Sequence, residues 1–344
     1  MRELTDVPLA GRTTLRLGGA ARRLVEAETE AELVDLVRAA DAAGDRLLLL
    51  GGGSNLVVAD TGFDGLVVQV ATRGTRQEEV GGRVRLTAAA GEPWDALVAD
   101  AVADGLAGVE ALSGIPGLVG ATPIQNVGAY GQEVAQTVVS VRVLDRRSGE
   151  VRELSPPECA FTYRHSVFKG NHDHVVLAVT FALEPSGEGA PVRYAELARR
   201  LGVAVGERAP LPDVRAAVLD LRRGKGMVLD PDDHDTWSAG SFFTNPVLPA
   251  EVADRLLPAD APRWPELDGR VKTSAAWLIE RSGFSKGYGE GPARVSAKHT
   301  LALTNRGGAR TDDLLALARE IRAGVRARFG IELVNEPVLV GCSL

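Results

Sequence analysis

Three side chains in this sequence stand in surroundings that alter their chemistry. Arg164 lies in Phe161-Thr162-Tyr163-Arg164-His165-Ser166-Val167-Phe168-Lys169, among aromatics and hydroxyls just ahead of a core-strand pattern. A guanidinium fork is suited to clamping a carboxylate in one plane. Ser241, in Ser238-Ala239-Gly240-Ser241-Phe242-Phe243-Thr244-Asn245-Pro246, has its hydroxyl between a glycine and two aromatics. Scarce water there would let it pass a proton to a substrate. Glu336 is flanked by the apolar residues Ile331, Leu333, Val338 and Val340, and an unpaired carboxyl in a poorly hydrated place has its pKa raised and works as a hydrogen-bond donor beside developing negative charge. Each residue also has a plainer reading: a surface ion pair for Arg164, a turn serine for Ser241, and for Glu336 an outward position on an edge strand made irregular by Pro337. Ser241 lacks the Gly-x-Ser-x-Gly elbow of a hydrolase nucleophile. The histidines at 165, 172, 174, 234 and 299 have no recognised ligand spacing, so no metal is expected.

Two glycine-rich stretches could hold the partner of that chemistry. Gly51-Gly52-Gly53-Ser54-Asn55 follows the apolar run Leu47 to Leu50. Its backbone amides are uncovered by Cβ atoms, so a pyrophosphate could approach closely, with Ser54 and Asn55 as further donors. Leu56 occupies the place of the third glycine of a dinucleotide fingerprint, and strand-like residues follow instead of a helix, which excludes a Rossmann reading. A tight inter-strand turn would explain this loop equally well. The second stretch runs from Ser113 to Gly131 and includes Gly117, Thr122, Gln125, Asn126, Gly128 and Tyr130. Its small residues alternate with amides and hydroxyls suited to the edge of a flat heterocycle, and an irregular stretch of this length inside a compact domain is usually functional. Two such loops without Rossmann geometry suggest a large two-part cofactor, and FAD fits.

The elements that must position these residues follow from hydrophobic period. Glu30 to Ala43 reads as a helix ending at Gly44 and feeding the Leu47–Leu50 strand. Strands are expected at Leu66 to Val70, Val84 to Ala90, Val138 to Asp145, Val151 to Leu154 and Val175 to Leu183, with a helix from Trp94 to Gly105. Beyond the turn-rich segment Glu184 to Pro191, helical patterns recur at Tyr194 to Leu201, Asp213 to Arg223 and Ser274 to Ser282. Thr311 is expected to cap a helix running to about Arg328, and Ile331 to Val340 to form the last strand. The pattern is α+β with several mixed sheets.

Composition sets the outer bounds. A chain of 344 residues, 45% hydrophobic and 25% charged, is a folded protein with a sizeable core. A net charge of -7 gives no footprint for nucleic acid. No run approaches the roughly 18 apolar residues of a membrane span, and Met1 to Thr14 has no apolar signal core. Cys159 and Cys342 form no Cys-x-x-Cys pair or disulfide framework, as expected in a reducing cytoplasm.

With these motifs the sequence resembles the UDP-N-acetylenolpyruvoylglucosamine reductases, the MurB family, nearly end to end. The resemblance is carried by Gly-Gly-Ser-Asn, the Ile115-Pro116-Gly117 to Gly131 loop, Tyr163-Arg164 with Ser166-Val167-Phe168-Lys169, Ala239 to Phe243 with Asn245-Pro246, and Glu336. It implies a vanillyl-alcohol-oxidase/PCMH-type FAD-binding fold of two lobes plus a C-terminal α+β substrate-binding domain. The expected lobes are 1–70 with 331–344, then 71–224 with a substrate loop near 185–200, then 225–330. It implies non-covalent FAD, NADPH as co-substrate, and hydride addition to UDP-N-acetylglucosamine enolpyruvate to give UDP-N-acetylmuramate, a peptidoglycan precursor. By the same resemblance, Arg164 and Glu336 stabilise the enolate-like intermediate and Ser241 protonates it. Tyr130, Tyr163, Tyr194, Lys225 and Asn245 contact the substrate, Tyr194 being the loop tyrosine of the longer family type. Many members place Pro before the catalytic Glu, whereas here Asn335 precedes and Pro337 follows. The expected state is a cytoplasmic monomer. An FAD oxidase of an alcohol or sugar is the alternative, yet neither glycine loop offers His or Cys for covalent flavin attachment.

Overall fold

A computed structural model describes residues 1–266 and 268–344. Packing gathers the chain into two units, one of 1–6, 22–52 and 64–224 and the other of 7–21, 53–63 and 225–344.

The first unit is built on two sheets. The larger orders the strands Glu150–Leu154, Val138–Asp145, His174–Pro185, Arg83–Ala89 and Thr75–Val80, each pair antiparallel, with Leu106–Ala107 pairing the end of the long His174–Pro185 strand. The other orders Arg2–Pro8, Ala20–Ala27, Phe63–Val70 and Leu47–Leu50, the last two parallel. The helix Glu30–Ala43 starts where expected because Thr29 and Glu32 form a capping box, and stops at Gly44 in the left-handed conformation (φ 69°). Its buried stripe of Leu33, Val34, Val37 and Ala40 packs with Val25, Leu66, Val68, Leu144 and Leu177. Trp94, on the helix Trp94–Ala103, is 1% exposed and packs tilted on Phe181 at 5.7 Å between ring centres.

The second unit centres on the helix Thr311–Phe329. Its residues Leu314, Leu315, Ala318, Ile321 and Val325 form one core with Phe242, Phe243, Leu278, Ile279, Phe284, Ile331 and Leu333. Around it lie the sheet of Val247–Pro249, Arg270–Thr273 and Arg263–Pro265, the hairpin of Ala293–Val295 with Leu303–Asn305, and a parallel pair of Leu56–Val58 with Val338–Val340.

The last helix and the last strand begin differently from the expectation. Thr311 is not the cap but the first helical residue: its hydroxyl donates to the Val58 carbonyl at 2.6 Å, and Asp60 accepts the N–H groups of Thr311 and Asp312. A carboxylate from a distant segment thus meets the positive helix end. The last strand shrinks from Ile331–Val340 to Val338–Val340. Pro337 brings no N–H to a ladder, and Asn335 bridges Phe243 instead. Among the described residues no helix is long and apolar enough to cross a membrane.

Candidate active site

The first glycine loop is held by the strand it leaves. The Gln69 carboxamide donates to the carbonyls of Leu50 (3.0 Å) and Gly51 (2.7 Å). The second is stitched to the helix Trp94–Ala103 and the turn before it: Trp94 N–H donates to Gly117, Gly114 N–H to the Asp95 carboxylate, Val119 N–H to Glu92 and Gly120 N–H to Ala90. Gly52 and Gly117 stand 65 positions apart in sequence (117 − 52), and there the loops touch. A Cβ added to Gly52 would lie 2.8 Å from the Gly117 Cα, and one added to Gly51 would reach Leu118 at 3.7 Å. Gly52 is exposed at this junction. Side chains would fill this all-backbone surface, so the residues present fit a long phosphate-bearing group lying along both loops. In the second unit, Gly53 (φ 60°) backs onto the Arg12 carbonyl, and Asn55 donates to the Glu336 carbonyl at 3.4 Å.

Within the second loop the side chains do different work. Thr122 donates to the Val119 carbonyl. Asn126 is 1% exposed, and its carboxamide joins three places: it donates to Glu133 (2.8 Å) and to the Thr162 carbonyl (3.1 Å) and accepts from Ala135 N–H (3.1 Å). Both of its N–H donors are engaged inside the protein, so any contact of Asn126 to a cofactor comes from its main chain or its remaining lone pair. Gln125 is half-buried beside it.

Arg164 sits in the tight Thr162–His165 turn, in the left-handed region (φ 54°). Its Nη2 donates to the Gly128 carbonyl at 2.7 Å, its guanidinium lies 5.7 Å from the Tyr163 ring centre, and Lys169 Nζ donates to its carbonyl. Backbone strain of this kind is characteristic of functional positions. Tyr130 (φ 49°), in the turn of the hairpin Gly128–Ala129 with Gln132–Glu133, meets Tyr194 edge to face at 5.5 Å, and Tyr194 is 44% exposed.

Arg222, which no motif marks, is a further buried cation of this unit. Burial lowers its guanidinium to about 10, with Tyr130 and Asp95 opposing the fall and the positive charge of Arg164 adding to it. Burial likewise pushes the Tyr130 hydroxyl up to about 12, against the charge of Arg222. Nearby, burial would raise Asp95, but the bidentate Arg215 pair (2.7 and 3.0 Å) and the Gly114 N–H outweigh it and hold the carboxyl below its ordinary range. The first unit therefore collects cations around Tyr130. The available signal was Arg215 and Arg222, seven apart and so on one face of the helix Leu211–Gly224.

The second unit brings Ser241 and Glu336 onto adjacent segments. Ser241 bridges Ala302 antiparallel, Phe242 N–H donates to Leu301 at 2.7 Å, and on the other side Glu336 N–H donates to Phe242 at 2.8 Å. Phe242 and Phe243, each 1% exposed and 5.1 Å apart edge to face, root the segment in the core. Gly240 (φ 72°) makes the turn that turns Ser241 out of that core, and Ser241 is half-buried. The expected apolar surround of Glu336 is only partly present: Ile331, Leu333 and Val340 are buried, whereas Val338 is 44% exposed. Val338 and Val340 share one face of the short final strand, and burial rises along it from the exposed Val338 to the buried Val340. Asn245 accepts the Ala275 N–H at 3.0 Å and so helps begin the helix Ala275–Arg281, and Lys225 opens the long C-terminal segment of this unit. Arg164, Tyr163, Tyr130 and Tyr194 thus belong to the first unit; Ser241, Glu336, Asn245 and Lys225 belong to the second. Among the described residues no group of acidic, His and Cys side chains is arranged to hold a metal.

Comparison with known proteins places this geometry. Residues 230–340 match the family model described as UDP-N-acetylenolpyruvoylglucosamine reductase, C-terminal domain, and residues 21–155 match that of an FAD binding domain. The chain is 60% identical to the UDP-N-acetylenolpyruvoylglucosamine reductase of Streptomyces coelicolor, covering 100% of this chain and 92% of that one. It is equally 60% identical to the enzyme of the same name from Thermobifida fusca, covering 98% of each. The crystal structure of the Thermus caldophilus UDP-N-acetylenolpyruvylglucosamine reductase (MurB) superposes with a TM-score of 0.67 at 26% identity, covering 98% of both chains. The vanillyl-alcohol-oxidase type of FAD fold with an added C-terminal α+β part is therefore the architecture here, and the chain belongs to the UDP-N-acetylenolpyruvoylglucosamine reductase family.

Proposed function

We propose that this chain reduces UDP-N-acetylglucosamine enolpyruvate to UDP-N-acetylmuramate in peptidoglycan precursor synthesis, with non-covalent FAD and with NADPH as the reductant. The observation that carries the reading is the pairing of Phe242-Phe243 with Asn335-Glu336, which sets the segment that carries the Ser241 hydroxyl beside the segment that carries the Glu336 carboxyl, in a chain 60% identical over its whole length to reductases of that name. Bound FAD would supply the hydride chemistry that links NADPH to the methylene carbon of the enolpyruvyl group.

The chain's own residues do the rest. Hydride arrival at one alkene carbon drives the alkene electron pair to the other and into the carboxylate, so negative charge grows there and needs preorganised cationic and hydrogen-bond support. Arg164 supplies the guanidinium and Glu336 a carboxyl hydrogen bond. Ser241 gives its proton to the carbon that holds the new electron pair, completing the lactyl ether, and regains a proton from solvent. Gly51, Gly52, Gly53, Ser54, Asn55, Gly117, Thr122, Gln125, Asn126 and Gly128 line the cofactor's path. Tyr130, Tyr163, Tyr194, Lys225 and Asn245 hold the nucleotide. Residues 1–70 with 331–344, and 71–224, form the two flavin lobes, and 225–330 the substrate domain. The protein acts as a cytoplasmic monomer.

The test separates two half-reactions. Ser241→Ala should keep flavin binding and bleaching by NADPH, and slow the recolouring by the enolpyruvyl nucleotide at least about 100-fold, the range for a lost general acid. Recolouring at the unaltered rate would remove Ser241 from the mechanism.

A further inference from the structure

We propose that Asp235 is a positioning residue for Ser241, acting through the turn Ser296–Ala302; the inference rests on the reading of Ser241 as the proton donor. Asp235 is 6% exposed, six residues ahead of Ser241 in the same stretch. Its Oδ1 accepts the Ala297 N–H at 2.8 Å and Arg306 Nη1 at 3.0 Å. One carboxylate therefore fastens the chain that leads into Ser241 to the turn against which Ser241 is registered.

That turn is rigidly made. Ser296 N–H donates to the Ala302 carbonyl at 2.8 Å, and Ser296 Oγ accepts the N–H groups of Lys298 and His299 at 3.0 and 3.2 Å. Thr300 Oγ1 donates to Glu280 at 2.5 Å. Ser296, Thr300 and Ala302 are all buried. Its far end carries the contacts that place the site: the Ala302 bridge to Ser241 and the Leu301 carbonyl that receives Phe242 N–H. An outer pair repeats the device. Asp233 caps the Asp235 N–H at 2.9 Å while its other oxygen takes Lys298 Nζ at 2.5 Å, and that ammonium contact holds the Asp233 carboxyl below its ordinary range. On its remaining side the Asp235 main chain closes on Gly226, where a Cβ would come 2.9 Å from the Asp235 carbonyl.

Two carboxylates of one segment thus grip one turn. The proton of a serine moves usefully only when its hydroxyl is held close to the accepting carbon, and a displacement of about 1 Å can lose 100-fold in rate. The interaction with Arg306 depends on the Asp235 charge, whereas the shape of the side chain does not.

The experiment uses the flavin-loaded enzyme carrying Asp235→Asn, with and without Ser241→Ala. Flavin content and bleaching by NADPH should stay within about 2-fold of the unsubstituted protein, recolouring by the enolpyruvyl nucleotide should slow about 10-fold, and in the Ser241→Ala background Asp235→Asn should add less than about 2-fold, since both remove one coupled function. Hydrogen exchange of the Phe242 amide should rise about 10-fold, reporting the loosened turn directly. Equal slowing in both backgrounds, or unslowed recolouring by Asp235→Asn alone, overturns the proposal. Unslowed recolouring by Ser241→Ala instead overturns the reading of Ser241 and this role with it, whereas an unchanged Phe242 amide overturns the anchoring itself. Should Asp235→Asn lose its flavin, Lys298→Ala on the part-exposed outer pair takes its place: recolouring should slow about 2- to 5-fold with bleaching unchanged, and no slowing overturns the proposal.

Discussion

Tyr130 shows how much a single side chain owes to its setting. Its hydroxyl is pushed up to about 12 by burial, with the charge of Arg222 pulling the other way. Because the folded form keeps its proton above the ordinary Tyr value of 10.0, folding binds an extra proton in that interval. The stability this contributes is complete below about pH 10 and is lost as pH rises toward 12. Ultraviolet titration should show one of the four tyrosines ionising near pH 12 in the native protein, and the late step should vanish in Tyr130→Phe. A native Tyr130 titrating at its ordinary value would contradict this. At this scale the sequence was informative about type and silent about geometry. The fork of Arg164 was visible, whereas the left-handed backbone that aims it was not, since the tight Thr162–His165 turn and the bond from the guanidinium to the distant Gly128 carbonyl hold a non-glycine residue there. The residue type of Asn126 suits a cofactor contact, while its carboxamide ties Glu133, Ala135 and Thr162 together. No local pattern distinguishes those partners.

Among the elements, the helices were the most legible because their ends carry their own chemistry. Glu30–Ala43 has its cap at Thr29 and its stop at Gly44, both readable from residue types. Strands buried on alternate residues were visible, Arg83–Ala89 among them. Thr75–Val80 is nearly all polar and exposed, so it offers no alternation, and only its neighbour Arg83–Ala89 makes it a strand. The short strands after Lys225 were missed for the same reason: three or four residues carry too little period. The glycine loops were legible as loops but not as neighbours. Their contact yields a sharp expectation. Gly52→Ala would bring a Cβ to 2.8 Å of the Gly117 Cα, and relief requires one loop to move. Flavin affinity measured by fluorescence quenching should weaken at least about 10-fold, equivalent to about 1.4 kcal/mol. Unchanged affinity would mean the junction is not part of the cofactor's path.

Across the whole molecule, the two units are stitched from alternating pieces of one chain, an arrangement invisible to any local pattern because it is defined by pairings between remote segments. A cofactor that binds the folded form alone adds stability by mass action, about 2.7 kcal/mol at a free concentration 100 times its Kd. For a chain of 344 residues this should raise the unfolding temperature by about 4 °C relative to the flavin-free protein, read by scanning calorimetry. No rise on adding FAD would contradict the assignment. The pairing of Leu56–Val58 with Val338–Val340 has its own meaning for biogenesis. At about 5 to 20 residues per second on the ribosome, an early strand must wait roughly 15 to 60 s for the partner that completes it, with Val57 and Val58, buried in the finished protein, still uncovered. The emerging polypeptide is therefore most vulnerable to aggregation during its own synthesis, and a product of premature termination never obtains the closing strand.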